Sequence, residues 1–251
     1  MNLDLSTMTT AALRRSATFT TDDCPGSDIV YFKVLPQPLI FQQQTCRSLL
    51  VSNRCQLYLT PAAEDTLFQN LQRRTEHYYF SQAQAAELHL SKNAPLCYRA
   101  LIYIRFHERA RRSWLALHEV ADWHSATRES VTCKLLNGMQ LTVPEKESAF
   151  KNQTNMAVLL TQYRHALVTE ILGFDPALFV RPRYADSWIW RHAHDDPTPG
   201  QFPNFQQHTQ LCMEYLIKQV FDNLQCLQDS DLVAQAKKQC YQRLINYFQR
   251  E

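Results

Sequence analysis

Val131-Thr132-Cys133-Lys134-Leu135-Leu136-Asn137-Gly138-Met139-Gln140-Leu141-Thr142-Val143 is the stretch whose reading decides the fold. Apolar residues alternate on either side of an Asn-Gly. The two apolar rows share a face only if the loop holds three residues, Leu136, Asn137 and Gly138, with the glycine in the left-handed position of a bulge. That register sets Leu135 opposite Met139, Cys133 opposite Leu141 and Val131 opposite Val143, and it leaves Thr132, Lys134, Gln140 and Thr142 on the other face. A two-residue loop would put the rows on opposite faces. The stretch therefore reads as a β-hairpin with one buried face, dividing a strand-rich front from a helical back.

Working outward towards the N-terminus, Tyr98, Ala100, Ile102, Ile104 and Phe106 share one face of a strand. His107-Glu108-Arg109-Ala110-Arg111-Arg112 follows as a basic loop, and Trp114 to Val120 returns as an antiparallel strand. With the hairpin this makes four consecutive strands, arranged most simply as a meander. Ile29 to Leu35 reads as a strand stopped by Pro36 and Pro38. Residues 49–59 read as a second hairpin turning at Ser52-Asn53-Arg54. Thr60-Pro61 starts a helix expected to reach residue 78, and Ser81-x-x-Gln84 is a capping box opening a short one. Residues 1–22 are expected to form a flexible arm.

Towards the C-terminus the apolar period changes. Pro144 fits a first helical position, and Phe150, Met156, Leu159, Leu160, Tyr163, Leu167 and Ile171 recur at helical spacing up to Gly173. Tyr184 to Gly200 is expected to be irregular. Cys212, Leu216, Val220, Leu224 and Leu227 form one stripe, and Leu232, Ala236, Cys240, Leu244 and Phe248 another, with Asp229-Ser230 capping between them. The class expected is α+β: an antiparallel sheet over residues 29–143 packed with helices, then a C-terminal antiparallel helical pair. One domain spans 1–251, divisible into a strand-rich 23–143 and a helical 144–251.

A competing pattern overlaps the hairpin. Glu119-Val120-Ala121-Asp122-Trp123-His124-Ser125-Ala126-Thr127-Arg128-Glu129-Ser130-Val131 resembles the helix-turn-helix of LacI-type bacterial repressors, which would imply two short helices and duplex DNA as the partner. The stretch departs from that pattern with Ser125 at the turn glycine and with His124 and Lys134 at positions that are buried there.

Composition narrows the function classes. The chain has four glycines, Gly26, Gly138, Gly173 and Gly200, in 251 residues. Loops that cradle phosphates need glycine for close backbone approach, so no Walker or dinucleotide fingerprint is possible, and no cofactor is expected. A net charge of +2 means that any basic site is local. No apolar run suffices for a membrane span, and a cytoplasmic location is expected. None of the eight cysteines falls in a Cys-x-x-Cys pair, so they read as reduced, small core residues.

The densest chemistry lies in Arg181-Pro182-Arg183-Tyr184-Ala185-Asp186-Ser187-Trp188-Ile189-Trp190-Arg191-His192-Ala193-His194-Asp195-Asp196. In an extended loop, Arg181, Arg183 and Arg191 would offer guanidinium forks to phosphates, and Trp188 and Trp190 would offer stacking faces to unpaired bases. Arg109, Arg111 and Arg112 of the basic loop would assist. Alternatively His192 and His194, pointing the same way, would hold a metal with Asp195, as in a metal-dependent hydrolase. A third reading makes Trp188 and Trp190 anchors to the core. No Ser or Cys sits in a nucleophile motif. The function expected is a non-enzymatic binding or regulatory protein for an anionic partner, nucleic acid included. The alternative is a protein–protein adaptor acting through the C-terminal helical pair.

Overall fold

A computed structural model of the protein describes residues 2–21, 28–63, 66–67, 84–85, 88, 90, 94–98, 101–108, 111–172, 184–193, 206–210, 213–214, 217 and 238–242. In chain order the elements are β1 (Asn2–Asp4), α1 (Thr10–Ser16), β2 (Ala17–Phe19), β3 (Ile29–Phe41), β4 (Gln44–Ser52), β5 (Leu57–Thr60), β6 (Leu96–Tyr98), β7 (Leu101–Glu108), β8 (Arg111–Ala116), β9 (Val120–Thr127), β10 (Ser130–Leu135), β11 (Gln140–Val143), α2 (Glu147–Leu172) and α3 (Trp188–Ala193). The protein is α+β, with the strands in two sheets. A four-stranded sheet runs β1-β11-β10-β9, and a seven-stranded sheet runs β2-β5-β4-β3-β8-β7-β6.

The deciding hairpin has the register its alternation requires. Val131 pairs with Val143 and Cys133 with Leu141. The Leu135 N–H donates to Met139 O at 2.8 Å, and Gly138 closes the loop at φ +82°. Val131, Cys133, Leu135, Leu141 and Val143 are all buried, the four aliphatic side chains each worth roughly 1.5–3 kcal/mol on a full-burial scale. The repressor-like alternative is overturned, because residues 120–127 and 130–135 are paired antiparallel strands. A helix there would scatter these five residues around its circumference.

The expected four-strand meander is corrected. β7 and β8 belong to the seven-stranded sheet, and β9 to β11 belong to the other. The chain changes sheets through a 3-10 turn at Leu117–Glu119 whose three residues are all buried. No glycine, proline or asparagine marks this turn between Trp114 and Val120, and its two polar residues, His118 and Glu119, are themselves buried.

Pro36 and Pro38 do not stop β3. Its first part lies between β4 and β8, but beyond Lys33, among the described residues, only β4 pairs with it. The prolines, which have no N–H to give, fall in that second part. The ladder is interrupted between Val34, paired with Ser48, and Leu39, paired with Cys46, so the β3 side bulges outward there. Gln42 and Gln43, at φ 48° and 63°, turn the strand back into β4.

Residues 2–19 take defined structure where a flexible arm was expected. β1 adds parallel to β11 and β2 parallel to β5, so this segment binds an edge of each sheet. Asp4 accepts from the Ser6 N–H at 2.8 Å and from the Ser6 and Thr7 hydroxyls, and Thr9 caps α1 by accepting from the Ala12 N–H. α2 begins at Glu147 rather than at Pro144, and its buried residues Phe150, Met156, Leu160, Tyr163 and Leu167 keep helical spacing. One apolar cluster joins both sheets to α2 and α3.

The helices expected over 61–78 and from Ser81 fall almost wholly outside the described residues, as does most of the C-terminal pair. Within that pair, 206–210 and 238–242 are helical, and the Tyr241 hydroxyl donates to Glu214 O at 3.2 Å. Cys240, expected on a buried stripe, is exposed, whereas the free thiols of Cys46, Cys55 and Cys133 are buried. No helix among the described residues is long and apolar enough to cross a membrane.

Candidate functional site

The Arg/Trp segment is a short helix where an irregular loop was expected. The Ser187 N–H donates to Tyr184 O at 3.0 Å, and the Arg191 N–H then donates to Ser187 O at 3.2 Å. Helical periodicity sorts the side chains that extension would have presented together. Tyr184, Ser187, Ile189, Trp190 and Ala193 are buried; Arg191 and His192 are exposed; Trp188 is half-buried.

The inward row is structural. Trp190, 4% exposed, packs its ring on His165 of α2 at 5.2 Å. It therefore offers no stacking face to a ligand, which corrects its expected role. Tyr184 meets His118 of the 3-10 turn edge-on at 5.0 Å, and His118 meets Tyr103 in the same manner at 5.2 Å. The His118 Nδ1 lies 3.0 Å from both the N–H and the carbonyl of Ile102.

The outward row keeps part of the expected chemistry. Trp188 and His192 stack with centroids 4.2 Å apart and planes 21° apart, and His192 Nδ1 lies 2.7 Å from Trp188 O. Trp188 also meets Trp123 of β9 at 6.1 Å, Trp123 meets Phe150 at 4.7 Å, and Phe150 stacks on Phe106 of β7 at 5.6 Å. A ladder of rings thus runs from the exposed His192 into the core. Arg191 donates through Nη2 to the carbonyl of Ala121 on β9, the outer strand of its sheet. One of five guanidinium N–H groups is used there, which holds the plane in place while the exposed remainder can still donate.

Two lysines at the start of α2 are matched by acids. Lys151 lies 3.2 Å from Glu147, and Lys146 lies 4.0 Å from Glu129. The Lys151 hydrogen bond, with a second from Ser125, holds the Glu147 carboxyl below its usual range.

Of the remaining predicted residues, Arg111 and Arg112 fall in β8, paired in register with Glu108 and His107 of β7. Arg109, Arg181, Arg183, His194 and Asp195 lie outside the described residues. His192 is helical, so the extended His-x-His geometry does not hold at its first member. Among the described residues no three His, Cys, Asp or Glu side chains cluster as a metal site would need.

Two groups escaped the sequence reading. Trp123 carries the ladder, but as one aromatic in a polar strand it gave no signal. Glu145 is buried and accepts from the Tyr31 hydroxyl at 3.2 Å and from the Ser113 hydroxyl. Those three residues come from three separate parts of the chain, and nothing local marks them. Burial first, and then the Glu145 charge, push the Tyr31 hydroxyl well above its ordinary range.

In comparisons with known proteins, no family model, curated protein or solved structure matches this chain.

Proposed function

We propose that this chain is a binding or regulatory protein that holds an anionic partner on the outward face of α3, single-stranded nucleic acid being the form that suits its chemistry. The parallel Trp188–His192 stack beside the anchored Arg191 guanidinium is the observation that carries this reading. Base-sized rings can extend such a stack, and a planar fork recognises a phosphate. The ring ladder behind Trp188 holds the platform in place before any partner arrives, and that lowers the ordering cost of binding.

The test is fluorescence anisotropy with a labelled oligothymidylate between about 50 and 200 mM salt, since each phosphate contact on a single strand contributes a slope of about 0.7 in the logarithm of affinity against that of salt. Arg191→Gln should lower that slope by about one such contact. Trp188→Ala should weaken binding by about 1–3 kcal/mol. An affinity independent of salt, or one unchanged by Trp188→Ala, rules the reading out.

A further inference from the structure

A second site lies away from α3, where the proline bulge of β3 faces the N-terminal helix. Residues 35–38, with Pro36 and Pro38 among them, leave the β3–β4 ladder, and a cavity of about 640 Å³ lies there against α1 and Leu5, just after β1. That is within the range of small-molecule pockets, roughly 300–1,000 Å³. Its wall includes Leu5, Leu13, Leu35 and Leu39, with Arg14 and Lys33 among the polar residues and no acidic side chain among the described residues that line it. The far wall is fixed by the Asp4 and Thr9 caps and by the Leu5 N–H donating to Thr142 O at 2.8 Å, so the concavity is built into the fold.

From this pairing of an apolar lining with two cations, we infer that the cavity binds a small amphiphilic anion, a medium-chain carboxylate, with its chain on the leucines and its head at Arg14 and Lys33. This site is independent of the α3 face and stands or falls separately. Because Leu5, Met8, Thr10, Leu13 and Arg14, from the segment that joins β1 to β2, supply one wall, a bound ligand would also stabilise the attachment of the N-terminal segment.

Isothermal titration calorimetry with sodium decanoate, below its micelle concentration, tests this. The intact chain should show one saturable site. Arg14→Gln/Lys33→Gln, which alters an exposed and a half-buried polar residue, should weaken it at least about tenfold. Acetate, lacking the chain, should give no saturable heat, and decyltrimethylammonium should bind at least about tenfold more weakly. No saturable site for decanoate, equal affinity in the double variant, or equal affinity for the cationic amphiphile would each overturn the inference.

Discussion

Tyr31 and Glu145 meet across 114 positions of chain, the hydroxyl donating to Oε1 at 3.2 Å. Tyr31 belongs to the seven-stranded sheet, and Glu145 lies in the connection from the four-stranded sheet to α2, so this contact and the Ser113 hydroxyl tie the two layers together. Tyr31→Phe should cost about 1.5–3 kcal/mol, the usual range for a hydrogen bond to a charged group. Urea unfolding of the variant checks this.

The same tie sets an alkaline limit. Burial and the neighbouring carboxylate raise the Tyr31 hydroxyl pKa, so the folded state holds this proton more tightly than the unfolded chain does. The stability it contributes is complete below the ordinary tyrosine value of 10.0 and is lost as pH rises above it. Urea midpoints measured against pH should fall more steeply above that value in the native chain than in Tyr31→Phe. Superimposable alkaline limbs would remove Tyr31 from the account.

At the hairpin loop, Gly138 has φ +82° and open space where a Cβ would lie. Gly138→Ala should therefore cost only the left-handed backbone penalty, about 1–2 kcal/mol. A larger loss in thermal unfolding would point to a contact the loop does not show.

This loop was legible in the sequence because its signal is local. Asn137-Gly138 and the two apolar rows specify each other, and residues 131–143 have the register read from them. What escaped reading was non-local. Whether Val120 continues β8 or begins a strand of another sheet depends on what lies above Leu117 and His118, and neither residue announces it. Pro36 and Pro38 were read as a stop because a proline usually ends a strand, yet β3 runs on through them where its ladder to β4 is interrupted and where, among the described residues, β8 no longer pairs with it. Across residues 181–196 three arginines and three aromatics suggested one exposed surface, and of these Tyr184, Trp188, Trp190 and Arg191 fall among the described residues. Helical periodicity instead divides them, so Trp190 enters the core while Trp188 and Arg191 stay near solvent.

That division has its own consequence. Trp190→Ala should cost about 3–5 kcal/mol, as expected for a large buried aromatic. Trp188→Ala should cost clearly less and act chiefly on binding. Comparing melting temperatures of the two variants checks the ordering, and equal losses would mean that both rings are anchors.

Burial also raises the thiols of Cys46, Cys55 and Cys133 above their ordinary range, which keeps them protonated and unreactive at neutral pH. Cys240 is exposed. Under native conditions Cys240→Ser should remove a rapidly labelled thiol in a maleimide assay, whereas Cys133→Ser should leave the labelling rates unchanged. Rapid native labelling of Cys133 would contradict the buried hairpin face.

The outward face of α3 is examined most directly by following the indole N–H signals of Trp114, Trp123, Trp188 and Trp190 in a two-dimensional NMR titration with oligothymidylate. The Trp188 signal should move progressively with added strand, Trp123 behind it less, and the buried Trp114 and Trp190 should stay in place. A titration in which Trp188 does not move, or in which only Trp114 and Trp190 do, contradicts the proposed surface.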